Sequence, residues 1–121
     1  MQKASPTARR RRIHTLEKQI TTIKGELAEL GDLRPGSLSE QYNVCGTPNC
    51  QCKADPPRKH GPYYQLSYTR KGKSTTRFVR PRDLATVKQQ MKNYKRLRAL
   101  TDRWVDLAIE LATLNVEDNG E

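Results

Sequence analysis

The apolar residues of this chain form two helical stripes separated by a polar, turn-rich middle. Ile13, Leu16, Ile20, Ile23, Leu27 and Leu30 recur at steps of three and four, with Glu, Lys, Thr and Gln between them. This is the a and d pattern of a heptad repeat, and it predicts a helix over 13–31 that stops at Gly31-Asp32. Towards the other end, Pro81-Arg82-Asp83 opens a second helix, predicted over 82–115. Its first stripe is Leu84, Val87, Met91 and Tyr94. After a one-residue slip, a second stripe runs through Leu97, Leu100, Trp104, Leu107, Leu111 and Leu114. Such a slip changes the local supercoil without breaking the helix.

Ile13–Leu30 and Leu97–Leu114 are equal in length, each ~25 Å of helix. Equal stripes at opposite ends predict that the arms pair antiparallel within the chain, or that each pairs with its counterpart in another subunit. Under both readings these residues are core.

Between the helices the period changes. Residues 32–62 hold five of the seven prolines and read as loop, apart from a turn near Leu38–Tyr42. Tyr63–Thr69 and Ser74–Val79 are β-rich runs around Arg70-Lys71-Gly72-Lys73, predicting a β-hairpin over 63–80 with Tyr64, Leu66 and Tyr68 on its core face. Neither end of the chain has an apolar period. Residues 1–12, closing on Arg9–Arg12, are expected to be a disordered basic arm, and 116–121 a disordered tail. The expected fold is α+β: two long helices in an antiparallel coiled-coil-like hairpin, with a Cys3His knuckle over 32–62 and the β-hairpin between them.

Composition explains why such a fold needs a staple. The chain has 121 residues, is 34% hydrophobic and contains one Trp and one Phe, which is little apolar surface for a core. All three cysteines lie within Cys45–Cys52, and His60 follows. Their odd number and tight clustering disfavour a disulfide framework and favour metal ligation in a reducing cytoplasm. There is no apolar run of membrane-spanning length and no signal-peptide core, so a cytoplasmic protein without a membrane partner is expected.

The spacing C-x4-C-x-C-x7-H offers three thiolates and an imidazole, a full tetrahedral set for Zn2+ at Cys45, Cys50, Cys52 and His60. An iron–sulfur cluster would want a fourth cysteine. The bland alternative, three buried free cysteines, is disfavoured by the clustering. His14, the other histidine, reads as an exposed surface residue. Four protein ligands leave the zinc no open position for water, so the metal reads as structural and the protein as no enzyme. Ser37 and Tyr63 have no activating neighbours in sequence that would make either a nucleophile.

Several blocks together carry a resemblance: Pro35-Gly36-Ser37-Leu38, the Cys45-Gly46, Pro48, Cys50 and Cys52 motif, His60-Gly61-Pro62-Tyr63-Tyr64, and Lys71-Gly72-Lys73-Ser74. Across residues 34–100 the chain resembles an uncharacterised family of small prokaryotic proteins, a domain of unknown function often encoded in or near mobile elements and phages. The resemblance implies a shared zinc-binding module and supplies no activity.

Charge is segregated. The net charge is +10, and residues 70–98 carry eleven Lys and Arg against Asp83 alone. Residues 99–121 carry Arg103 against six acids. Arg70, Lys71, Lys73, Arg77, Arg80 and Arg82 lie on or beside the expected hairpin, and Lys88, Lys92, Lys95 and Arg96 continue along the helix. This distribution fits a polyanion-binding face, with an ordinary solvated surface as the alternative. A two-stranded ribbon suits a DNA major groove, and Tyr63, Tyr64 and Tyr68 can stack on bases or pack beneath the metal site. The expected function is therefore a zinc-stabilised nucleic-acid-binding accessory or regulatory protein, with DNA placed ahead of RNA. The alternative is a protein–protein adaptor whose leucine stripes assemble a homo-oligomer or dock a recombinase, nuclease or other protein.

Overall fold

The computed structural model describes residues 5–119. Five elements follow one another: α1 (Pro6–Ala28), β1 (Ser37–Asn43), β2 (His60–Arg70), β3 (Lys73–Val79) and α2 (Leu84–Asn119), with single 3-10 turns at Gln51–Lys53 and Pro81–Asp83. The chain divides into two compact units. Residues 33–92 form the first, and residues up to 32 together with those from 93 form the second.

The first unit is built on a three-stranded antiparallel sheet in the order β1-β2-β3. Cross-strand partners share a face, so Leu38, Leu66 and Arg77 form one row across it. Leu66 is only 1% exposed, and Val87 on the first turns of α2 is also buried. Burying a leucine this fully contributes about 2 kcal/mol. The segment before β1 is fastened to α2 by Gln90, whose carbonyl accepts from the Arg34 backbone N–H at 3.1 Å. The opposite face of the sheet is lined by hydroxyls, with Ser67 meeting Thr76 at 3.2 Å and Thr69 meeting Ser74 at 3.0 Å. Lys71 and Gly72 join β2 to β3 with φ of 53° and 77°, the paired positive values of a tight hairpin turn whose twist matches the strands.

The second unit has a leucine-rich core. Leu16, Ile20 and Ile23 of α1 and Leu100 and Leu107 of α2 are buried, with Leu27, Leu30, Trp104, Leu111 and Leu114 packed against them. Ile13 and Leu97 are half-buried. The Arg12 guanidinium donates two bonds to Glu110, at 2.6 and 2.7 Å, and Arg96 pairs with Glu26 at 3.2 Å.

The α+β class stands, but the coiled-coil-like hairpin does not. The body between the helices is a three-stranded sheet, because residues 37–43, read as loop from the sequence, add a strand. The helices are not matched arms: α1 has 23 residues, α2 has 36, and the first turns of α2 belong to the sheet unit. Within the helical unit full burial is confined to the five positions named above, so it does not extend along the whole of either stripe as a coiled-coil seam requires. The one-residue slip in the period of α2 falls where the helix passes from one unit to the other.

Two ends differ as well. Helix α1 begins at Pro6 rather than at residue 13, because Ser5 caps it by accepting from the Ala8 N–H at 3.1 Å and proline fits the first turn. The stretch expected to be a basic arm is thus helical from Pro6 to Arg12, and α2 continues through Asn119. Residues 1–4 and 120–121, the remainder of the expected arm and tail, lie outside the described residues. Among the described residues, no helix is long and apolar enough to cross a membrane.

Candidate metal centre

The ends of β1 and β2 position the four expected ligands. Asn43, the last residue of β1, is registered opposite His60, the first residue of β2, after a bulge between Gln41 and Asn43. Cys45 leaves β1 two residues later, Cys50 caps the 3-10 turn and Cys52 lies inside it. Asn49 makes the turn into Cys50 with a φ of 62°, a left-handed conformation that asparagine tolerates better than most residues. Gly61 follows His60 with a φ of 140°, and a Cβ there would lie 2.7 Å from the Gln41 carbonyl oxygen. Only glycine allows β2 to pass this close to β1 beside the ligand.

The four ligand atoms all lie within 4.8 Å of one another. Cys45 Sγ is 3.6 Å from Cys52 Sγ, and Cys50 Sγ is 3.2 Å from His60 Nε2. A zinc tetrahedron with Zn–S of ~2.3 Å and Zn–N of ~2.0 Å has edges of roughly 3.8 Å and 3.5 Å, close to these spacings. The cysteines are free thiols, and 3.6 Å is far beyond a disulfide bond of ~2.05 Å. Cys52 is buried, whereas Cys45 and Cys50 are half-buried.

The electrostatics make thiolates of two of the four groups more accessible and leave Cys52 and His60 the harder to deprotonate. The Thr47 backbone N–H, then His60 and the other two thiols, pull Cys45 down to about 6. Cys50 is lowered first by the backbone N–H of Cys52. Burial raises Cys52, and hydrogen bonds to Cys45 and then Cys50 raise His60. Anionic sulfurs and a neutral imidazole are what a bound metal needs. Three sulfurs and one nitrogen suit zinc and are poor donors for calcium or magnesium, which prefer oxygen. The cluster is compatible with zinc binding.

The basic residues fall on both units. Arg70, Lys71 and Lys73 sit at the β2–β3 turn, Arg77 on β3, Arg80 and Arg82 at the 3-10 turn before α2, and Lys88 and Lys92 on the part of α2 within the sheet unit. Lys95 and Arg96 belong to the helical unit. All ten are exposed. Arg80 pairs with Asp83 at 2.8 Å. Tyr64 and Tyr68 are half-buried and Tyr63 is exposed. Two features escape sequence reasoning. Phe78 is 72% exposed on a sheet edge, and Arg34 is half-buried beside Gln90. Phe78 is the lone aromatic of β3, so no alternation marks it, and no local signal marks Arg34.

The family model for a domain of unknown function (DUF6788) matches residues 10–89, more than half of the chain, and the chain belongs to that family. No curated protein and no solved structure matches it significantly.

Proposed function

We propose that this protein is a zinc-stabilised nucleic-acid-binding module, acting on DNA as an accessory or regulatory factor. One observation carries the reading. Eleven Lys and Arg between residues 70 and 98 are all exposed, and of these eleven only Arg80 and Arg96 pair with a carboxylate among the described residues. Ordinary surfaces intersperse the two signs, whereas a row of cations without acids is the footprint of a polyanion.

The fold gives this charge a shape. Pairing of β1 with β2 ends at Ser37↔Ser67, while β2 and β3 continue through Tyr68↔Thr75, Thr69↔Ser74 and Arg70↔Lys73. The hairpin tip is therefore two strands wide and carries Arg70, Lys71 and Lys73, a width that a DNA major groove admits. Lys71 holds a left-handed conformation that Asn or Gly would adopt more readily, and it places a cation at the tip. Zinc at Cys45, Cys50, Cys52 and His60 closes the β1–β2 connection and so fixes the sheet that aims the tip. With four protein ligands the metal has no open position, and the reading includes no catalytic step.

The test is an anisotropy titration of zinc-loaded protein against duplex DNA, single-stranded DNA and structured RNA across a salt series. Tight duplex binding with a steep salt slope supports the reading. Preference for RNA would reassign the polymer. Weak binding to all three would leave the basic face as a protein-docking surface and overturn the proposal.

A further inference from the structure

Arg34, Arg77 and Arg80 line one cleft of about 410 Å³ in the sheet unit. They come from three separate segments: the loop before β1, strand β3 and the connection to α2. Leu66 and Val87, both buried, form part of its wall.

Arg34 is held in place. Its Nε donates to Gln90 Oε1 at 2.7 Å, and its backbone N–H donates to the Gln90 carbonyl at 3.1 Å. Both partners are neutral, so the guanidinium is oriented but its charge is not compensated. Asp83 is the one acid lining the cleft, and it is engaged by Arg80 at 2.8 Å. The Arg77 guanidinium has no hydrogen-bond or ion-pair partner among the described residues. Two guanidinium charges therefore face a cleft with an apolar wall and no carboxylate left to meet them. Cations in such a setting favour a bound anion.

We infer that this cleft is a phosphate seat. Forked guanidinium donors from separate segments suit an oxyanion with oxygens in several directions, and a fixed arginine is the residue type best shaped for it. The cleft falls within the volume range of small-ligand pockets and holds a phosphate together with its sugar. The seat takes a backbone phosphate of the bound strand, an assignment that rests on the nucleic-acid reading above. The same chemistry could come from a free nucleotide, so the test separates the two sources.

The experiment follows the arginine Nε–H resonances of the full zinc-loaded chain by NMR, assigned with Arg34→Lys and Arg77→Lys. Inorganic phosphate, a mononucleotide and a short DNA duplex are added in separate titrations. The expected result is a joint, saturable shift of the Arg34 and Arg77 signals with each probe, at the lowest concentration for the duplex. Gln90→Ala frees the Arg34 guanidinium without changing any charge, and it should weaken phosphate binding on the order of tenfold. Saturation by the mononucleotide at the same concentration as the duplex would assign the seat to free nucleotides. Phosphate shifts without duplex binding would keep the seat and sink the nucleic-acid reading. Duplex binding that leaves both arginine signals unmoved would overturn the seat while sparing that reading.

Discussion

Cys50 Sγ lies 3.2 Å from His60 Nε2, although one caps a turn deep in the β1–β2 connection and the other opens β2. Tight turns usually join antiparallel strands, but here residues 44–59 intervene. A metal held here would do the work of a turn, closing a long loop next to the point where Asn43 faces His60.

Replacing Cys50 with serine should therefore act locally. Hydrogen exchange is expected to show β1 and the first half of β2 losing most of their protection, while amides of α1 near Leu16 and Ile20 keep theirs. Metal-coupled folding of the sheet unit predicts this pattern. Unchanged protection across β1 would show that the metal is not what closes the connection.

The helical unit should respond to pH through Arg12 and Glu110. The hydrogen-bonded Arg12 guanidinium holds the Glu110 carboxyl below its ordinary value. A carboxylate depressed in the folded state contributes stability above its unfolded value of ~4.3, and the contribution is lost as pH falls through the lower folded value. An NMR titration should place Glu110 below the usual carboxylate range in the wild type and return it to that range in Arg12→Gln. Identical midpoints would dismiss the pair as a solvated surface contact.

Lys71→Asn should separate folding from binding. Asparagine accepts the left-handed turn more readily, so the hairpin should gain about 0.5–1 kcal/mol in denaturant unfolding. Loss of one phosphate-facing cation should reduce the salt slope of DNA binding by about 1. Stabilisation with an unchanged slope would place the nucleic acid away from the tip.

The sequence carried some of this and not the rest, for physical reasons. The helices announce themselves because Leu16, Ile20, Ile23, Leu100 and Leu107 keep a helical period wherever they are buried. The three cysteines and His60 are legible because ligand chemistry needs few residues at short range. Strand β1 is not legible: it is an edge strand on which only Leu38 is partly buried, so it shows no alternation. Arg34 gains its meaning from Gln90, 56 positions away, and a local window cannot see that pairing. The segregation of charge along the sequence overstates the charge left unmatched. Arg12 with Glu110 and Arg96 with Glu26 show that part of it is matched within the chain.

X-ray absorption at the zinc edge of purified, zinc-loaded protein tests the closed metal centre most directly. The account predicts one zinc per chain with three sulfur ligands near ~2.3 Å and one nitrogen near ~2.0 Å. Oxygen in place of the imidazole nitrogen, or no stoichiometric zinc at all, would contradict it.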